Sequence, residues 1–483
     1  MAKTNYTVTA EEISSEIWFV ALSYPNLSSL LGRAVRRGVF PFSRLIRLVN
    51  DMSNKSFHIA NFGCRASQSE GAAIQDELLD AGVSVAATPF DASVVVVNSC
   101  TVTDEADRDV RQLIRRIASR SPATRVIVTG CYAQRAPDEL AGMPGVEYVV
   151  GNSHKPLVGR LTLNALDKAF TSTGRAEVFC SDIFLEHELR PRTHSGSGGR
   201  TRAIVKVQDG CNANCSFCII PSVRGRSRSM APDLVLAEVR SLVERGYKEI
   251  ILSGIHLGTY GRDLDFPTSL VDLIHRLLDD IPQLARIRLS SIEPLEVTPD
   301  IISLVTEESR LAHHFHIPLQ SGSRRILREM RRPYTPSYYA ELAHAIRERI
   351  EDAAIGADVM VGFPGESDNE FSETFRLIES SPLTYLHVFP YSSRPGTAAA
   401  DLPAPVPAHV AQFRAKTLRR LIASKNEAFR SRLIGRDLDV LVLNSGDAIS
   451  NNFIRVYPEA DMPRNTWISV RATALEGDGL AAR

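Results

Sequence analysis

The chain has 483 residues, 44% hydrophobic and 23% charged, and its 56 Lys+Arg are balanced by 56 Asp+Glu. This composition is typical of a soluble globular protein of about three domains, and the zero formal net charge excludes any argument for nucleic-acid binding from overall charge. No apolar run approaches the about 20 residues that a membrane helix needs, and seven cysteines without a secretory signal favour a reducing compartment. We therefore expect no membrane association and a cytoplasmic location.

Residues 1–55 are predicted to be an extension of uncertain structure. Arginines lie among leucines and valines here, as in an amphipathic surface helix, but Glu11, Glu12 and Glu16 fit a targeting peptide poorly. Met52 directly precedes the first clear strand, so translation from Met52 is an alternative. We assign this segment no function.

Residues 56–189 are predicted to form an α/β domain with an open parallel sheet. Continuous Val/Ile runs alternate with amphipathic runs, as expected for strands that are covered by helices on both faces. The predicted strands are Ser56–Phe62, Ser93–Ser99, Arg125–Thr129 and Val146–Val150, and the predicted helices are Gln68–Ala81 and Glu105–Arg120.

Residues 190–202, rich in Gly, Ser and Arg, are predicted to be a linker. A second alternating series covers residues 203–432, and its six strand–helix units predict a partial (β/α)6 barrel. The predicted strands are Ala203–Val207, Glu249–Ser253, Arg286–Ser291, His314–Leu319, Gly356–Gly362 and Leu386–Tyr391. The helices predicted among them include Leu234–Arg245, Leu270–Leu278, Pro299–Glu308 and Ser337–Ile350, and a helix Ala408–Leu433 follows the series.

Residues 433–483 are predicted to be a small β-barrel or sandwich. Val, Ile and Thr are frequent between Asp437 and Ala474, and turn residues interrupt the runs.

Three cysteines, Cys211, Cys215 and Cys218, lie within eight residues directly after the first predicted barrel strand. An iron–sulfur cluster normally takes four thiolates, and an open ligand position is typical of catalytic metal sites. The C-x3-C-x2-C spacing with no histidine nearby therefore predicts a cluster with one free iron at the catalytic face of the barrel. A zinc knuckle or three unrelated buried thiols are the alternatives.

Cys64, Cys100 and Cys131 each follow a predicted strand of the first domain. The carboxyl ends of parallel strands lie on one edge of a sheet, where open α/β folds bind ligands. The three cysteines are therefore expected to converge and to hold a second cluster. A single free cysteine is often only a small buried hydrophobe, and we interpret Cys180, which shows no such placement, in that way.

With both triads, the chain resembles the methylthiotransferases of the radical S-adenosylmethionine (SAM) superfamily. The segments Asn-Phe-Gly-Cys64, Asn98-Ser-Cys100-Thr-Val-Thr and Thr129-Gly-Cys131-Tyr-Ala resemble their auxiliary-cluster domain. The tail, with Asn452-Phe-Ile-Arg-Val-Tyr, is similar to their RNA-binding TRAM barrel. The resemblance covers nearly all of the chain from Ser56 onward. Arg65 and Ala66 depart from the more usual Lys and Val or Thr.

Three subfamilies compete, acting on isopentenyladenosine in tRNA, on threonylcarbamoyladenosine next to the anticodon, or on an aspartate of a ribosomal protein. The segment Ser253-Gly-Ile-His-Leu-Gly-Thr-Tyr-Gly261 resembles the threonylcarbamoyladenosine (MtaB-type) group, which makes that substrate the expected one.

The resemblance implies two 4Fe-4S clusters and SAM as cofactors. Cys211, Cys215 and Cys218 would hold the catalytic cluster, whose free iron binds SAM, and Cys64, Cys100 and Cys131 the auxiliary one. Reductive cleavage of SAM would give a radical that removes hydrogen from carbon 2 of the adenine, where a methylthio group is then placed. The implied partners are the tRNA anticodon stem–loop, a reductant and a sulfur donor.

SAM contacts are expected from strand ends of the barrel, with ordinary barrel packing as the alternative. The candidates are Gly254, Ile255, Glu293 and Gln320. RNA contacts are expected from local basic and aromatic residues despite the zero net charge. The main candidates are Arg224, Arg226, Arg228, Arg455 and Tyr457, with Asn452 beside them. A dense group from Arg324 to Arg332 is either a further RNA contact or a solvated helix face.

Two other classes of protein compete with the enzyme. An RNA-binding iron–sulfur sensor would share the fold but not cleave SAM, and a zinc-binding structural protein would be colourless rather than brown.

Overall fold

The computed structural model describes residues 55–167, 174–189 and 201–483. The predicted extension therefore lies outside the described residues except for Lys55. The predicted linker also lies outside them, except for Thr201 and Arg202, and Arg202 already begins a strand.

The N-terminal part is a six-stranded parallel sheet with the strand order β2-β1-β3-β4-β5-β6. Its strands are β1 Ser56–Asn61, β2 Ser84–Val85, β3 Val94–Ser99, β4 Arg125–Gly130, β5 Val146–Val150 and β6 Glu177–Phe179. Its helices are α1 Arg65–Asp80, α2 Asp104–Arg120, α3 Cys131–Arg135, α4 Pro137–Ala141 and α5 Val158–Asp167.

Both faces of this sheet are covered, as the continuous valine run predicts. Val94 and Val96 pack with α1 and α5 on one face, and Val95 and Val97 pack with α2 and α4 on the other. All six residues of β3 are buried. Because the strands are parallel, their carboxyl ends lie at one edge, where the three cysteines lie.

The central part consists of six parallel strands with helices outside them. The strands are β7 Arg202–Lys206, β10 Glu249–Ser253, β11 Arg286–Leu289, β12 His314–His316, β13 Ala354–Val361 and β14 Tyr385–Pro390. A short ribbon pairs β8 Gln208–Asp209 with β9 Arg228–Ser229. The helices are α6 Ile220–Arg224, α7 Pro232–Glu244, α8 Leu270–Asp280, α9 Pro299–Glu307, α10 Arg324–Glu329, α11 Pro336–Arg349, α12 Asp368–Ser380 and α13 Ala408–Ser431.

The six barrel strands form two three-stranded sheets, β11-β10-β7 and β12-β13-β14. Parallel bridges at Ile287–Leu311 and Ser291–His316 join the two sheets, so β7 and β14 are the free ends of a partial barrel. Helix α1 of the N-terminal part covers the β7 edge, where the Ser69 hydroxyl donates a hydrogen bond to the Ile204 carbonyl at 3.0 Å.

Strand β12 is shorter than the sequence predicts, ending at His316 instead of Leu319. The backbone turns there because the amides of Leu319 and Gln320 both bond to the Asp358 carbonyl. Gln320 has φ = 63°, a left-handed conformation uncommon for a residue other than glycine.

The C-terminal part is a closed five-stranded barrel in the order β15-β16-β17-β19-β18. Its strands are β15 Asp437–Val442, β16 Ala448–Ser450, β17 Arg455–Pro458, β18 Trp467–Glu476 and β19 Gly479–Ala482. The turn after β16 is inserted into the amino-terminal end of the central barrel. There Arg288 donates to the carbonyls of Ser450 and Asn451, both at 3.1 Å. In the part of the chain that is described, the helices are too short or too polar to pass through a lipid bilayer.

Candidate active site

The first cysteine triad lies at one edge of the N-terminal sheet. Cys64, Cys100 and Cys131 follow β1, β3 and β4, which are adjacent strands. Cys64 is exposed, Cys100 is partly exposed and Cys131 is buried. Cys180 follows β6 at the same edge, so the prediction that it lacks such a placement is wrong. Its sulfur lies 3.9 Å from the Gln134 carbonyl oxygen.

Gly63 allows the loop before Cys64 to lie against Cys100. Its φ of 107° is unfavourable for any other residue, and a Cβ there would lie 2.9 Å from the Cys100 Cβ and 3.1 Å from its sulfur. The glycine in Gly63-Cys64 is thus required by the approach of the two cysteine-bearing loops.

A buried charge network lies beside this triad and joins it to the barrel. Arg224 Nη1 donates to Glu70 Oε1 and to Asp209 Oδ1, both at 2.9 Å. Lys206 also bonds to both carboxylates, at 2.7 and 2.8 Å, and Lys155 bonds to Glu70. Glu70 and Lys155 belong to the N-terminal part and the other three to the barrel, so the network fixes one against the other.

Two predicted RNA contacts are wrong because of this network. The Arg224 side chain is only 1% exposed, and Arg228 is buried with its Nη2 donating to the Arg224 carbonyl at 2.7 Å. Their charges are directed into the protein, where they are neutralised or bonded to backbone. Arg226 lies between them and is exposed.

The second triad lies in the loop after β8, at the carboxyl ends of the barrel strands. Gly210, with φ = 72°, precedes Cys211, and a Cβ there would lie 1.9 Å from the Arg226 carbonyl oxygen. The Cys211 amide donates to the Gly225 carbonyl at 3.1 Å, and the Ser216 amide to the Met330 carbonyl at 3.1 Å. The loop is therefore fixed at both ends.

Charged side chains contact two sulfurs of this triad. Arg332 Nη1 donates to Cys215 Sγ at 3.2 Å, and its Nη2 donates to Glu293. His256 Nδ1 lies 3.5 Å from Cys211 Sγ, and its Nε2 lies 2.9 Å from Glu296 Oε2. Burial opposes protonation of His256, but the bonds to Cys211 and Glu296 outweigh it and raise the pKa to about 10. Sequence reasoning did not identify the role of Arg332, which was grouped with surface arginines.

The two triads are neighbours across the interface. Cys131 packs in one apolar cluster with Ile219, which directly follows Cys218, and with Val223 in the next helix. Asn152 spans the same contact, because its Nδ2 lies 3.6 Å from Cys131 Sγ and donates to the Val223 carbonyl at 2.7 Å. The structure therefore brings the two cysteine loops together, although 80 residues separate Cys131 from Cys211.

The donor atoms fit iron–sulfur clusters better than single metal ions. In the ranges that the structure describes, neither cysteine triad has its three sulfurs all within 4.8 Å of one another; the group with ligand atoms that close is His316, Asp358 and His387. Ligands of one tetrahedral zinc lie only about 4 Å apart, so the sulfurs are spaced for a larger group. Burial raises the pKa of Cys100 and of Cys218 to about 12, so these thiolates need bound metal to stabilise them.

The candidate SAM residues all lie at carboxyl ends of barrel strands. Gly254 and Ile255 follow β10, Glu293 follows β11 and Gln320 follows β12. A Cβ at Gly254 would lie 2.9 Å from Gln208 Oε1, so the bare backbone there is required by packing. Glu293 is already bonded to Arg332.

The bore of the barrel is lined by polar and aromatic side chains below these residues. Asp358 Oδ1 lies 3.1 Å from both His316 Nε2 and His387 Nδ1. On β14, the His387 side chain is 56% exposed and Phe389 is 44% exposed. A solvent-accessible aromatic wall at this depth offers a stacking surface for a base.

The predicted RNA contacts of the C-terminal barrel differ in exposure. Arg455 is exposed but bonds to Asp447 at 2.9 Å and Asp478 at 3.2 Å. Tyr457 Oη donates to Asp478 at 2.5 Å. Asn452 is buried and donates to the Asp352 carbonyl at 3.0 Å, so its predicted RNA contact is wrong.

Comparison with known proteins identifies the class. A family model described as the Radical SAM superfamily matches residues 205–378, and one described as Uncharacterized protein family UPF0004 matches residues 56–151. A solved structure of the radical S-adenosylmethionine methyltransferase TsrM from Kitasatospora setae, with cobalamin and a [4Fe-4S] cluster bound, has a TM-score of 0.52. It covers 72% of this chain and 77% of its own, and at 15% identity it shows the fold alone. The fold and site thus define a radical SAM enzyme, a class whose cofactors are a 4Fe-4S cluster and SAM.

Curated relatives define the family more narrowly. A protein of Aquifex aeolicus (strain VF5) named threonylcarbamoyladenosine tRNA methylthiotransferase MtaB is 36% identical over 82% of this chain and 95% of its own length. The protein of the same name from Bacillus subtilis (strain 168) is 37% identical over 78% of this chain and 81% of its own length. The chain belongs to this MtaB family of tRNA methylthiotransferases.

Proposed function

We propose that this protein converts threonylcarbamoyladenosine next to the tRNA anticodon into its 2-methylthio derivative. The family membership supports the tRNA methylthiotransferase activity. The contact between the two cysteine loops, at Cys131, Ile219 and Val223, is the structural observation that carries the proposal. A transfer of sulfur to a carbon radical needs both groups at one place.

Each cysteine triad is assigned one of the two clusters. Cys211, Cys215 and Cys218 hold the cluster that binds SAM, and Cys64, Cys100 and Cys131 hold the auxiliary cluster. When bound, the first cluster and SAM supply hydrogen abstraction from a carbon that no protein base can deprotonate, and the second supplies the sulfur site. Residues 56–189, 203–432 and 433–483 are the corresponding auxiliary-cluster, radical SAM and TRAM-like RNA-binding domains.

The neighbouring side chains position and tune these groups. Arg332 Nη1 donates to Cys215 Sγ at 3.2 Å, and this positive charge would stabilise the thiolate and the reduced state of a cluster held there. Gly254, Ile255, Glu293 and Gln320, at the carboxyl ends of the barrel strands, would contact the amino acid and ribose of SAM.

The tRNA anticodon stem–loop is the macromolecular partner. The residues proposed to contact it are the exposed Arg226 beside the cysteine loop and, on the C-terminal barrel, the exposed Arg455 and the partly exposed Tyr457. A reductant and a sulfur donor of unspecified identity complete the reaction, and a cytoplasmic location stays a prediction.

Mass spectrometry of tRNA nucleosides from cells with and without the gene tests the proposal. We expect loss of 2-methylthio-threonylcarbamoyladenosine with accumulation of its precursor. Loss of the isopentenyl product instead would retain the chemistry and overturn the substrate. An unchanged nucleoside profile would overturn the tRNA substrate and favour the ribosomal protein as substrate. It would also be expected of a sensor, which would release no 5′-deoxyadenosine from SAM.

A further inference from the structure

Arg65 carries a buried guanidinium nitrogen that lacks a partner. It directly follows Cys64 and is the first residue of α1. Its Cζ lies 5.8 Å from the centroid of the Phe453 ring. The Nη1 atom is inaccessible to solvent and makes no hydrogen bond within the described ranges. Leaving a buried charged donor unpaired is costly, so such a group calls for a ligand.

The surroundings of Arg65 contain more positive charge than negative. It interacts electrostatically with Arg202, Arg288 and Glu249. Glu249 is shared, because Arg202 Nη1 lies 3.4 Å and Arg288 Nε 2.9 Å from its Oε1. Arg286 also lies 4.0 Å from the Oε2 of this carboxylate. Glu249 is therefore shared between Arg65 and three other arginines. Asp447 and Asp439 also act on two of those, Arg202 and Arg286.

The groups above Arg65 do not neutralise it either. Tyr385 Oη lies 2.8 Å from His314 Nε2 and 2.9 Å from His316 Nδ1. Asp358 is engaged by His316 and His387, both at 3.1 Å. The floor of the bore is thus a cationic, hydrogen-bonding site beneath the exposed wall of His387 and Phe389.

We propose that Arg65 binds the carboxylate of the threonylcarbamoyl group and so selects the acidic substrate. This inference rests on the proposed function. Carbon 2 and carbon 6, which carries the exocyclic nitrogen, flank N1 of adenine, and their outward bonds point in different directions. A base that directs carbon 2 to the cysteine loops can therefore direct its substituent to the floor. A guanidinium forms two parallel bonds with a carboxylate, which gives both affinity and orientation.

Binding measurements with the full-length protein carrying its clusters test the proposal. The probes are two anticodon stem–loops, one with threonylcarbamoyladenosine and one with its methyl ester, which removes the negative charge and adds one methyl group. We expect the wild type to prefer the acid by about 10- to 100-fold, the range for a charged hydrogen bond. Arg65→Gln should bring this ratio close to one, and Arg65→Lys should retain part of it.

Arg226→Gln is the matched control. The same chemical change at an exposed arginine should weaken binding of both probes equally and leave their ratio unchanged. Iron content and SAM cleavage without RNA test whether Arg65→Gln still holds its clusters. If Arg65→Gln loses its clusters, the proposal is tested by the acid-to-ester binding ratios of the wild type and of Arg65→Lys. A preference for the acid in the wild type that is smaller in Arg65→Lys supports it, and equal ratios overturn it.

The outcomes separate this inference from the proposed function. A wild-type ratio retained in Arg65→Gln, or no preference in the wild type, overturns the carboxylate site even if the methylthio product forms. A preference for the acid that depends on Arg65, without any methylthio product, supports the site and overturns the proposed function.

Discussion

Replacing Glu70 by Gln should loosen the N-terminal part from the barrel. Glu70 accepts bonds from Arg224 at 2.9 Å and Lys206 at 2.7 Å, and it also contacts Lys155. The amide keeps the shape but leaves three buried cations with Asp209 as their remaining carboxylate. Breaking a buried ion pair costs about 3 to 5 kcal/mol. A cost of about 3 kcal/mol corresponds to a roughly 100-fold increase in the equilibrium constant for separation of the N-terminal part from the barrel.

Hydrogen exchange of the α1 amides is the assay, because a protein of several parts need not unfold in one step. Asp167→Asn is the matched control: its bond to Lys55 at 2.7 Å is at the surface, where such pairs contribute about 1 kcal/mol or less. Equal protection of α1 in Glu70→Gln, the control and the wild type would refute the reasoning.

The pH dependence of this effect has a defined sign. Burial favours the neutral form of Glu70, but Arg224, Lys155 and Lys206 outweigh it and hold its pKa well below the ordinary value. A carboxyl whose pKa is lowered by folding stabilises the folded state at pH values above its pKa in the unfolded chain. That stability is lost as the pH falls towards the pKa in the folded state. The difference between the wild type and Glu70→Gln should therefore be full at neutral pH and shrink below about pH 4.

Three further predictions concern the clusters and the RNA. Cys211→Ala should remove about four iron atoms per chain and all SAM cleavage, whereas Cys64→Ala should lose the same iron but still release 5′-deoxyadenosine without methylthio product; identical behaviour of the two variants would contradict separate roles. Arg332→Leu should lower the reduction potential of the SAM-binding cluster by on the order of 40 mV, since about 1 kcal/mol of hydrogen bonding is lost and 59 mV corresponds to a tenfold change; a redox titration followed by electron paramagnetic resonance would show no shift if the contact is incidental. Arg226→Glu should weaken tRNA binding and reduce its salt dependence by about one phosphate contact while SAM cleavage persists; an unchanged salt titration would exclude Arg226 from the RNA interface.

The positions of the cysteines could be predicted because strand ends are local features of sequence. Most predicted strands match to within one or two residues, and Cys64, Cys100 and Cys131 follow adjacent strands as expected. The direction of a long side chain is not local. Arg224 is held by Glu70, which lies 154 residues away in sequence, and Arg332 by Cys215, 117 residues away. Runs of arginines in the sequence therefore suggest RNA binding, whereas in the structure Arg224 and Arg332 are paired with Glu70 and Cys215.

The turn after β16 limits the routes by which reactants can enter the central barrel. Arg288 and its neighbours close the amino-terminal end of the bore around this turn, and α1 covers its β7 edge. In the part of the chain that is described, we therefore expect the adenosine and SAM to enter through the same opening, at the carboxyl ends of the strands. With tRNA bound over this opening, we expect the methionine and 5′-deoxyadenosine formed from SAM to leave only after the tRNA dissociates. Exchange of SAM and release of tRNA would then be coupled.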